Sequence, residues 1–480
     1  MKTKIDVAEW LNNNQKPFIE MADTIWGHPE IRWEEFKSSK LQADYMEEVG
    51  FDVTWDVGGI TTAFMAEWKN GTDAELETAP KIGFLGEYDA LPGLSQKSQT
   101  TPEAVEPHGH GHGCGHNLLG TGGLAAAMGV KQWMGETGTA GTIRYFGCPA
   151  EEGGGGKVFM ARDGVFDDLD AAFNFHPGNV NMAMKGSAIG VNRYRFRFHG
   201  RTAHAGASPH LGRSALDAVE LMNVGVNYLR EHVKDNVRLH YQITNGGGAP
   251  NVVPDFAEVF YYIRAHMPEE VREVAQRVIK VAKGAAMMTE TEAEIVFDSA
   301  STCVLSNHAL SDLQHEVMQK LGPIEFTEHE MVYAAEINDK NPPGMREFLK
   351  ERMKLTDEEA EMPLLGQVRE ANDAGDVMTG STDVGDVSWI TPISMLVTTC
   401  WPTNVSAHTW GVVATGKTGI GHKGMMYAAQ VMAGSAVELF QDPARLAAVR
   451  AEFEGQIAKR PYVNPLPGDC FPPNNPHPLR

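Results

Sequence analysis

Residues 108–117 read His-Gly-His-Gly-His-Gly-Cys-Gly-His-Asn and form a dense group of potential metal ligands. Glycines separate the four histidines and the cysteine, so the backbone can wrap closely around an ion. Cys114 and His116 are the best ligand candidates, because residues two apart in an extended chain project from the same side. Three further histidines share that parity: His108, His110 and His112. The alternative interpretation is a flexible loop that binds metal only weakly.

The chain is long, acidic and poor in cysteine. Its 480 residues exceed what one compact core usually holds, so we expect two domains or one domain with a large insertion. The 41 basic and 63 acidic residues give a net charge of −22, which argues against nucleic acid or an anionic membrane as a partner. Five scattered cysteines do not suggest a disulfide framework, and residues 1–13 do not resemble a secretory signal. We therefore expect a cytoplasmic protein without a membrane span.

Three apolar segments predict strands that are followed by polar side chains. These are Lys81–Gly86 with Glu87 and Asp89, Thr142–Cys148 with Glu151 and Glu152, and Asp170–Phe175 with His176. In βα architectures, active sites are usually built at the carboxyl ends of the strands. The alternatives are an ordinary turn, a solvated acidic surface and a capping histidine.

The pair Glu151-Glu152 precedes four glycines, Gly153–Gly156. No packed element would favour such a run, so this loop is typical of a chain shaped around a ligand. One carboxylate could bind a metal ion while its neighbour stays free for proton transfer. A similar candidate is His408, which follows the apolar segment Ile390–Thr399.

The pattern changes after Lys185. Arg193, Arg195 and Arg197 alternate with aromatic residues in a period of two, which predicts a strand with one buried and one polar face. The segments that follow predict the order βαββαβ, which is the ferredoxin-like unit. As an insertion of roughly 110 residues it could fold on its own sheet. Its exposed edge strand or helix face would be a natural dimer surface.

Within this inserted unit three residues are candidates for function. His204 lies in a loop of small residues, Asn251 follows a glycine-rich turn, and Arg264 ends a predicted strand. Arginine is well suited to bind a substrate carboxylate through two parallel hydrogen bonds. Each also has an ordinary interpretation, as a surface histidine, a turn asparagine or a cation at a strand end.

Two further predictions concern where helices begin and end. The spacing of apolar residues predicts helical structure from Ile19 to Gly50. Asn117 is predicted to cap a helix of small residues from Leu118 to Met134, which would pack closely against a sheet.

Several of these motifs occur in an order that resembles a known family. They are Glu87-Tyr-Asp-Ala-Leu-Pro92, Gly113-Cys-Gly-His-Asn117, Glu151-Glu152, His176, Gly200-Arg-Thr-Ala-His204, Asn251 and Ala407-His408-Thr409. The set resembles the metal-dependent amidohydrolases related to aminoacylase, carboxypeptidase G and plant indole-acetyl-amino-acid hydrolases. The resemblance runs from about residue 15 to about residue 470. It departs at Glu87, where many relatives have histidine, and at Asn117, where the plant hydrolases have aspartate.

The resemblance implies an α/β fold in which a zinc-peptidase-like catalytic domain carries an inserted ferredoxin-like α+β lid. The catalytic domain would comprise residues 1–186 and 300–480, and the lid, which would dimerise, residues 187–299. Two divalent ions, Mn²⁺ or Zn²⁺, would be held with the thiolate bridging both. The implied ligands are Cys114, His116, Glu152, His176 and His408.

The resemblance also implies roles for four other residues. Glu151 would be the general base, and His204, from the lid of a partner subunit, would stabilise the oxyanion. Asn251 and Arg264 would orient the substrate.

The implied reaction is hydrolysis of the amide bond of N-acyl amino acids, with an aroyl-glutamate such as p-aminobenzoyl-glutamate the leading substrate. Alternatives are an aminoacylase or dipeptidase of other substrate range, and a metal-binding, non-catalytic subunit of a heteromeric hydrolase. The partner would accordingly be an identical chain or a related subunit.

Overall fold

The computed structural model describes residues 6–474, in which the strands form three sheets. The strands are β1 Asp52–Trp55, β2 Phe64–Asn70, β3 Lys81–Glu87, β4 Gly141–Cys148, β5 Ala171–Gly178, β6 Met182–Ala183, β7 Ser187–Ala188, β8 Gly190–His199, β9 Arg238–Asn245, β10 Phe256–Ala265, β11 Glu292–Ser301, β12 Val377–Met378 and β13 Ile393–Thr399. The first eight helices are α1 Val7–Asn13, α2 Lys16–Trp26, α3 Phe36–Glu48, α4 Asp73–Leu76, α5 His116–Thr137, α6 Gly156–Arg162, α7 Ala215–Leu229 and α8 Pro268–Thr289. They are followed by α9 His308–Leu321, α10 Glu328–Asn338, α11 Gly344–Arg352, α12 Asp357–Glu361, α13 Val384–Ser388, α14 Trp410–Thr415, α15 Gly419–Gln441 and α16 Pro443–Ile457.

The largest sheet has seven strands in the order β1-β2-β4-β3-β5-β13-β6. Its four central strands, β4, β3, β5 and β13, run parallel, and the outer strands pair antiparallel. The predicted strands at residues 81–86, 142–148 and 170–175 are β3, β4 and β5. Their carboxyl ends therefore lie side by side at one edge of the sheet, as does the end of β13.

Helix α5 lies directly on β3 because glycines line its inner face. A Cβ atom at Gly120 would come 2.4 Å from the backbone oxygen of Glu87, and one at Gly123 would come 2.8 Å from that of Leu85. A larger side chain at either position would push the helix away from the sheet. This close packing confirms the prediction drawn from the small residues of the helix.

A second sheet has four antiparallel strands in the order β11-β8-β10-β9. Helices α7 and α8 pack on one face, where Phe196, Val259 and Val278 are among the buried core residues. The chain order is βαββαβ, so the predicted mixed α/β fold with an inserted α+β unit is confirmed. The domain boundaries at 186/187 and 299/300, and the lid and dimer roles of the unit, stay predictions.

Two predictions about helix ends were wrong. The helical pattern from Ile19 to Gly50 is divided, because α2 ends at Trp26 before Gly27 and the pair His28-Pro29, and a residue before proline disfavours helix. Asn117 does not cap α5. Gly115 occupies the cap with a φ of 77°, and the Asn117 amide instead donates to the backbone oxygens of Ala22 and Gly416.

None of the helices in residues 6–474 combines the length and the apolarity that crossing a bilayer requires.

Candidate metal centre

The site lies at the carboxyl edge of the large sheet, where four parallel strands and one helix deliver polar side chains. Glu87 ends β3, Glu151 and Glu152 follow β4, and His176 lies near the end of β5. Cys114 and His116 come from the start of α5, and His408 from the loop after β13. Residues that are far apart in sequence meet because the parallel strands all end at this edge.

Two groups of three potential ligands share one cysteine. Cys114, His116 and His176 form the first group, and Cys114, Glu152 and His408 form the second. Within each group, the potential ligand atoms lie within 4.8 Å of one another. The Cys114 Sγ atom is 3.3 Å from His176 Nε2, and Glu152 Oε1 is 3.2 Å from His408 Nε2. All five residues predicted as ligands are thus brought together around one sulfur atom.

The sulfur is suited to bind cations. Burial and Glu152 raise the pKa of the Cys114 thiol, but the neighbouring His176 and His116 lower it further, so the pKa falls to about 6. A thiol with this pKa is mostly thiolate at neutral pH, which is the form that binds metal. The pKa of His408 shifts in the opposite direction. Hydrogen bonding to Cys114 and Glu152 raises it to about 10.

The contacts of the His116 side chain indicate whether the site fits a metal ion. Its Nδ1 is 2.8 Å from Asp89 Oδ1, and Asp89 therefore accepts the proton of that nitrogen. The other nitrogen, Nε2, is buried without a hydrogen-bond partner among the described residues, 3.3 Å from Glu87 Oε2 and 4.0 Å from Glu151 Oε2. Burial lowers the pKa of His116, but Asp89 and Cys114 raise it further, so it lies well above its usual value; the acidic surroundings favour a cation at Nε2, either a proton or a metal ion in its place. The residues present therefore fit a metal ion.

Asp89 also orders the loop after β4. Its second oxygen, Oδ2, accepts a 2.7 Å hydrogen bond from the backbone N–H of Glu152. One buried carboxylate thus orients a potential ligand on α5 and the turn that carries another. The sequence indicated that Asp89 follows β3, but it did not reveal that Asp89 contacts His116 and the Glu152 N–H.

A buried ion-pair cluster lies behind the site. Lys157 Nζ is 2.7 Å from Glu87 Oε1 and 2.6 Å from Asp383 Oδ1, and all three side chains are buried. Together with His116 and Glu151, Glu87 forms a third group of potential ligand atoms. Lys157 and Asp383 were missed as site residues, because no local motif signals a contact between residues 226 positions apart.

Glu151 lies beside the first ligand group, with its Oε2 atom 4.0 Å from His116 Nε2. Burial and the nearby charges of Glu87, Glu152 and Asp383 raise the pKa of its carboxyl well above the usual value. The preceding residue, Ala150, has a φ of 60°, which is unfavourable for a residue with a Cβ atom. Glu35, which is buried, holds this turn by accepting a 2.8 Å hydrogen bond from the Ala150 N–H.

The remaining predicted residues lie outside the metal cluster. His204 and Asn251 are exposed and adjacent to each other, since the Ala205 N–H donates to the Asn251 oxygen at 3.0 Å. Among the contacts of residues 6–474, neither His204 nor Asn251 touches the cluster. Arg264 is partly buried and its Nη1 donates to the Thr379 oxygen at 2.9 Å.

Comparison with known proteins shows likeness along the whole chain. Residues 83–385 match the model of peptidase family M20/M25/M40. The chain is 42% identical over 477 residues to a subunit of p-aminobenzoyl-glutamate hydrolase from Escherichia coli strain K12, covering 97% of this chain and 98% of the relative. It is 31% identical to Xaa-Arg dipeptidase of Mus musculus, covering 68% of this chain and 73% of the relative.

A solved structure shares the fold. The aminobenzoyl-glutamate utilization protein from Klebsiella pneumoniae superposes with a TM-score of 0.60, covering 90% of this chain and 98% of the other. The two sequences are 18% identical, so this likeness concerns the fold alone.

Proposed function

Because the chain belongs to peptidase family M20/M25/M40, we propose that it is a metal-dependent amidohydrolase that cleaves N-acyl amino acids. The observation that carries this proposal is the pair of ligand groups that share Cys114, with Glu151 beside them. The leading substrate is p-aminobenzoyl-glutamate, which is supported by the name of the 42% identical relative.

The site would hold two divalent ions. His116 and His176 would complete one position, Glu152 and His408 would complete the other, and the Cys114 thiolate would bridge them. The thiolate favours Zn²⁺, while the carboxylate and imidazoles also admit Mn²⁺. When bound, such a pair lowers the pKa of water from about 15.7 toward about 7 and polarises the amide carbonyl.

Glu151 would carry the proton. Its carboxylate takes a proton from the attacking water as the water oxygen bonds to the amide carbon. It then delivers this proton to the leaving nitrogen as the C–N bond breaks. Burial and the charges of Glu87, Glu152 and Asp383 raise the pKa of this carboxyl, which favours its second role; the positive charge of bound metal ions would act in the opposite direction and favour the carboxylate that the first role needs.

His204 would act on the site of a second copy. It is exposed and, among the contacts of residues 6–474, does not touch the cluster of its own chain, which supports a role across a dimer formed by the inserted unit. There it would stabilise the oxyanion, while Asn251 and Arg264 would orient the substrate. We also propose a reducing, cytoplasmic setting, because all five cysteines are free and Cys114 binds metal only when reduced.

The first test uses the purified chain with Mn²⁺ or Zn²⁺ and a panel of p-aminobenzoyl-glutamate, acyl-amino acids and dipeptides. We expect the single chain to release p-aminobenzoate. Glu151→Gln should keep two ions but lose about 10²- to 10⁴-fold in turnover. The control is Glu77→Gln, a change at an exposed residue, which should leave turnover at the wild-type value. If the Glu151→Gln protein turned over substrate at the wild-type rate, Glu151 would not be the general base.

A second test addresses the dimer. Glu151→Gln and His204→Ala are each expected to be nearly inactive, but mixing and exchanging their subunits should restore activity. In the mixed dimer, one site has an intact Glu151 and receives an intact His204 from the other chain. No restoration would show that His204 does not act across the dimer.

The name of the bacterial relative designates one subunit of a hydrolase, which supports a heteromeric alternative. In that case the metal-loaded chain alone would hydrolyse nothing, and activity would appear only when a related subunit was added. The substrate panel separates the remaining alternatives, an aminoacylase or a dipeptidase of other range.

A further inference from the structure

Glu87 is a buried carboxylate at the metal centre that the five proposed ligands leave out. It is the last residue of β3, and it is only 2% exposed. Its two oxygens have different neighbours. Oε1 is 2.7 Å from Lys157 Nζ, whereas Oε2 is 3.3 Å from His116 Nε2. The carboxylate therefore lies between a buried lysine and a potential metal ligand.

The lysine that holds Oε1 is itself fixed in place. Lys157 Nζ donates to Asp383 Oδ1 at 2.6 Å, and the Lys157 backbone N–H donates to Asp383 Oδ2 at 2.9 Å. The side chain of Lys157 is 0% exposed, so water does not compete for its ammonium group. Lys157 thus orients Glu87 by one oxygen and leaves the other oxygen directed at His116, as a partner that orients a metal ligand does.

Two groups of potential ligands meet at one nitrogen of His116. One group adds Cys114 and His176 to this histidine, and the other adds Glu87 and Glu151. Because Asp89 engages Nδ1 at 2.8 Å, Nε2 is the nitrogen of His116 that remains to bind an ion in both groups. Its lone pair binds one ion, so the two groups describe the surroundings of the same ion.

The surroundings of this nitrogen are rich in carboxylates. Glu87 Oε2 and Glu151 Oε2 lie 3.3 Å and 4.0 Å from His116 Nε2. The one positive charge of Lys157 is shared between Glu87 and Asp383. Carboxylates that share a buried site repel each other unless a cation joins them. A divalent ion at Nε2 would be that cation, and Oε2 of Glu87 is directed towards it.

We propose that Glu87 is a sixth metal ligand, which binds the ion of His116 and His176 through Oε2, and that Lys157 is the residue that positions this carboxylate. The inference rests on the two-ion centre of the proposed function and adds to its ligands. Carboxylate oxygen suits Mn²⁺, whereas thiolate suits Zn²⁺. Glu87 therefore makes its position more favourable for Mn²⁺ than thiolate and imidazoles alone would.

Metal binding without substrate tests this ligand. Mn²⁺ is titrated into the metal-free chain, and the electron paramagnetic resonance signal of the free ion gives the number and the affinity of the bound ions. We expect the wild type to bind two ions. Glu87→Gln should weaken one of them by about 100-fold or more and leave the other nearly unchanged, because losing a ligand costs more than the loss of about 10- to 100-fold for losing its partner. Zn²⁺ binding, measured by competition with a chelator, should weaken less.

Two further variants separate ligation from charge. Glu87→Asp keeps the charge but is one methylene shorter, so a ligand role predicts weakened binding, as in Glu87→Gln. Glu67→Gln is the matched control, because Glu67 is a carboxylate of the same sheet, paired with Arg144 at 2.6 Å, and belongs to no group of potential ligands among the described residues. Wild-type affinity in Glu87→Gln or Glu87→Asp, or an equal loss in Glu67→Gln, would overturn the inference.

A measurement on the wild type does not depend on how the variants fold. In crystals of the chain loaded with Zn²⁺, Glu87 Oε2 should lie at about 2.0–2.2 Å from the ion beside His116 and His176. A water molecule between this oxygen and the ion would overturn the inference.

Failure of this inference can be distinguished from failure of the proposed function. If the chain binds two ions, one of them through Glu87, and hydrolyses none of the amides, the sixth ligand stands and the function fails. If the amides are hydrolysed and Glu87→Gln binds both ions as the wild type does, the function stands and the sixth ligand fails.

Discussion

Asp89 Oδ1 lies 2.8 Å from His116 Nδ1, so a buried carboxylate fixes which nitrogen of this histidine faces the candidate metal centre. Asp89→Asn keeps the shape but can present an amide N–H to the imidazole, which disfavours the required tautomer. We expect a loss of about 10- to 100-fold in metal affinity, measured by competition with a chelator. The exposed Asp52→Asn is the control, and unchanged affinity in Asp89→Asn would exclude this orienting role.

Lys157 compensates two buried carboxylates. Lys157→Met would remove the cation that Glu87 and Asp383 share, and we expect a loss of about 3–5 kcal/mol in the free energy of unfolding of the metal-free protein. Lys81→Met removes a solvent-exposed pair with Asp168 and should change stability by about 1 kcal/mol or less. Equal effects in urea unfolding of the two variants would show that the buried cluster contributes no more than the surface pair.

Gly120 allows helix α5 to approach β3. In Gly120→Ala the new Cβ atom would meet the Glu87 backbone oxygen, and we expect a loss of about 1–3 kcal/mol. Gly135 lies in the same helix with no atom within 4 Å of an added Cβ, so Gly135→Ala should stabilise the protein by about 0.5–1 kcal/mol. Thermal unfolding measures both changes, and stabilisation by Gly120→Ala would contradict the packing described.

Asp386 predicts a pH dependence of stability. Burial raises its pKa from 3.8 to about 6, although Thr302 and Tyr462 donate hydrogen bonds to it. The folded state binds this proton more tightly than the unfolded chain, so the stabilising contribution is full below about pH 4 and is lost as the pH rises to about 6.

Comparison with Asp386→Asn isolates this contribution, because the variant does not titrate at this position. Between pH 4 and pH 7 the stability of the wild type relative to Asp386→Asn should fall by about 2.4 kcal/mol. The lost hydrogen bonds add a constant offset. A difference that does not vary with pH, measured by denaturant unfolding, would show that burial does not raise this pKa.

Much of the candidate site could be predicted because its residues carry local signals. Cys114 and His116 stand in a glycine-rich motif, and Glu151, Glu152 and His176 follow recognisable strands. Parallel strands then bring these ends together without further information from the sequence.

Other features depend on contacts that no local pattern reveals. The bond from Asp89 to the Glu152 N–H joins residues 63 positions apart, and the contact of Lys157 with Asp383 spans 226. Arg193 forms no ion pair within residues 6–474, and this becomes visible only when its neighbours on β10 and β11 are known. The start of α5 was predicted too late because Asn117 is a favourable cap, whereas here its amide serves tertiary hydrogen bonds.

The most direct test of the central claim is anomalous diffraction from crystals of the chain loaded with Zn²⁺, recorded at the zinc absorption edge. We predict two peaks on either side of Cys114 Sγ, one beside His116 and His176 and the other beside Glu152 and His408. A single peak that does not contact Cys114, or peaks confined to His108 and His110, would contradict the account.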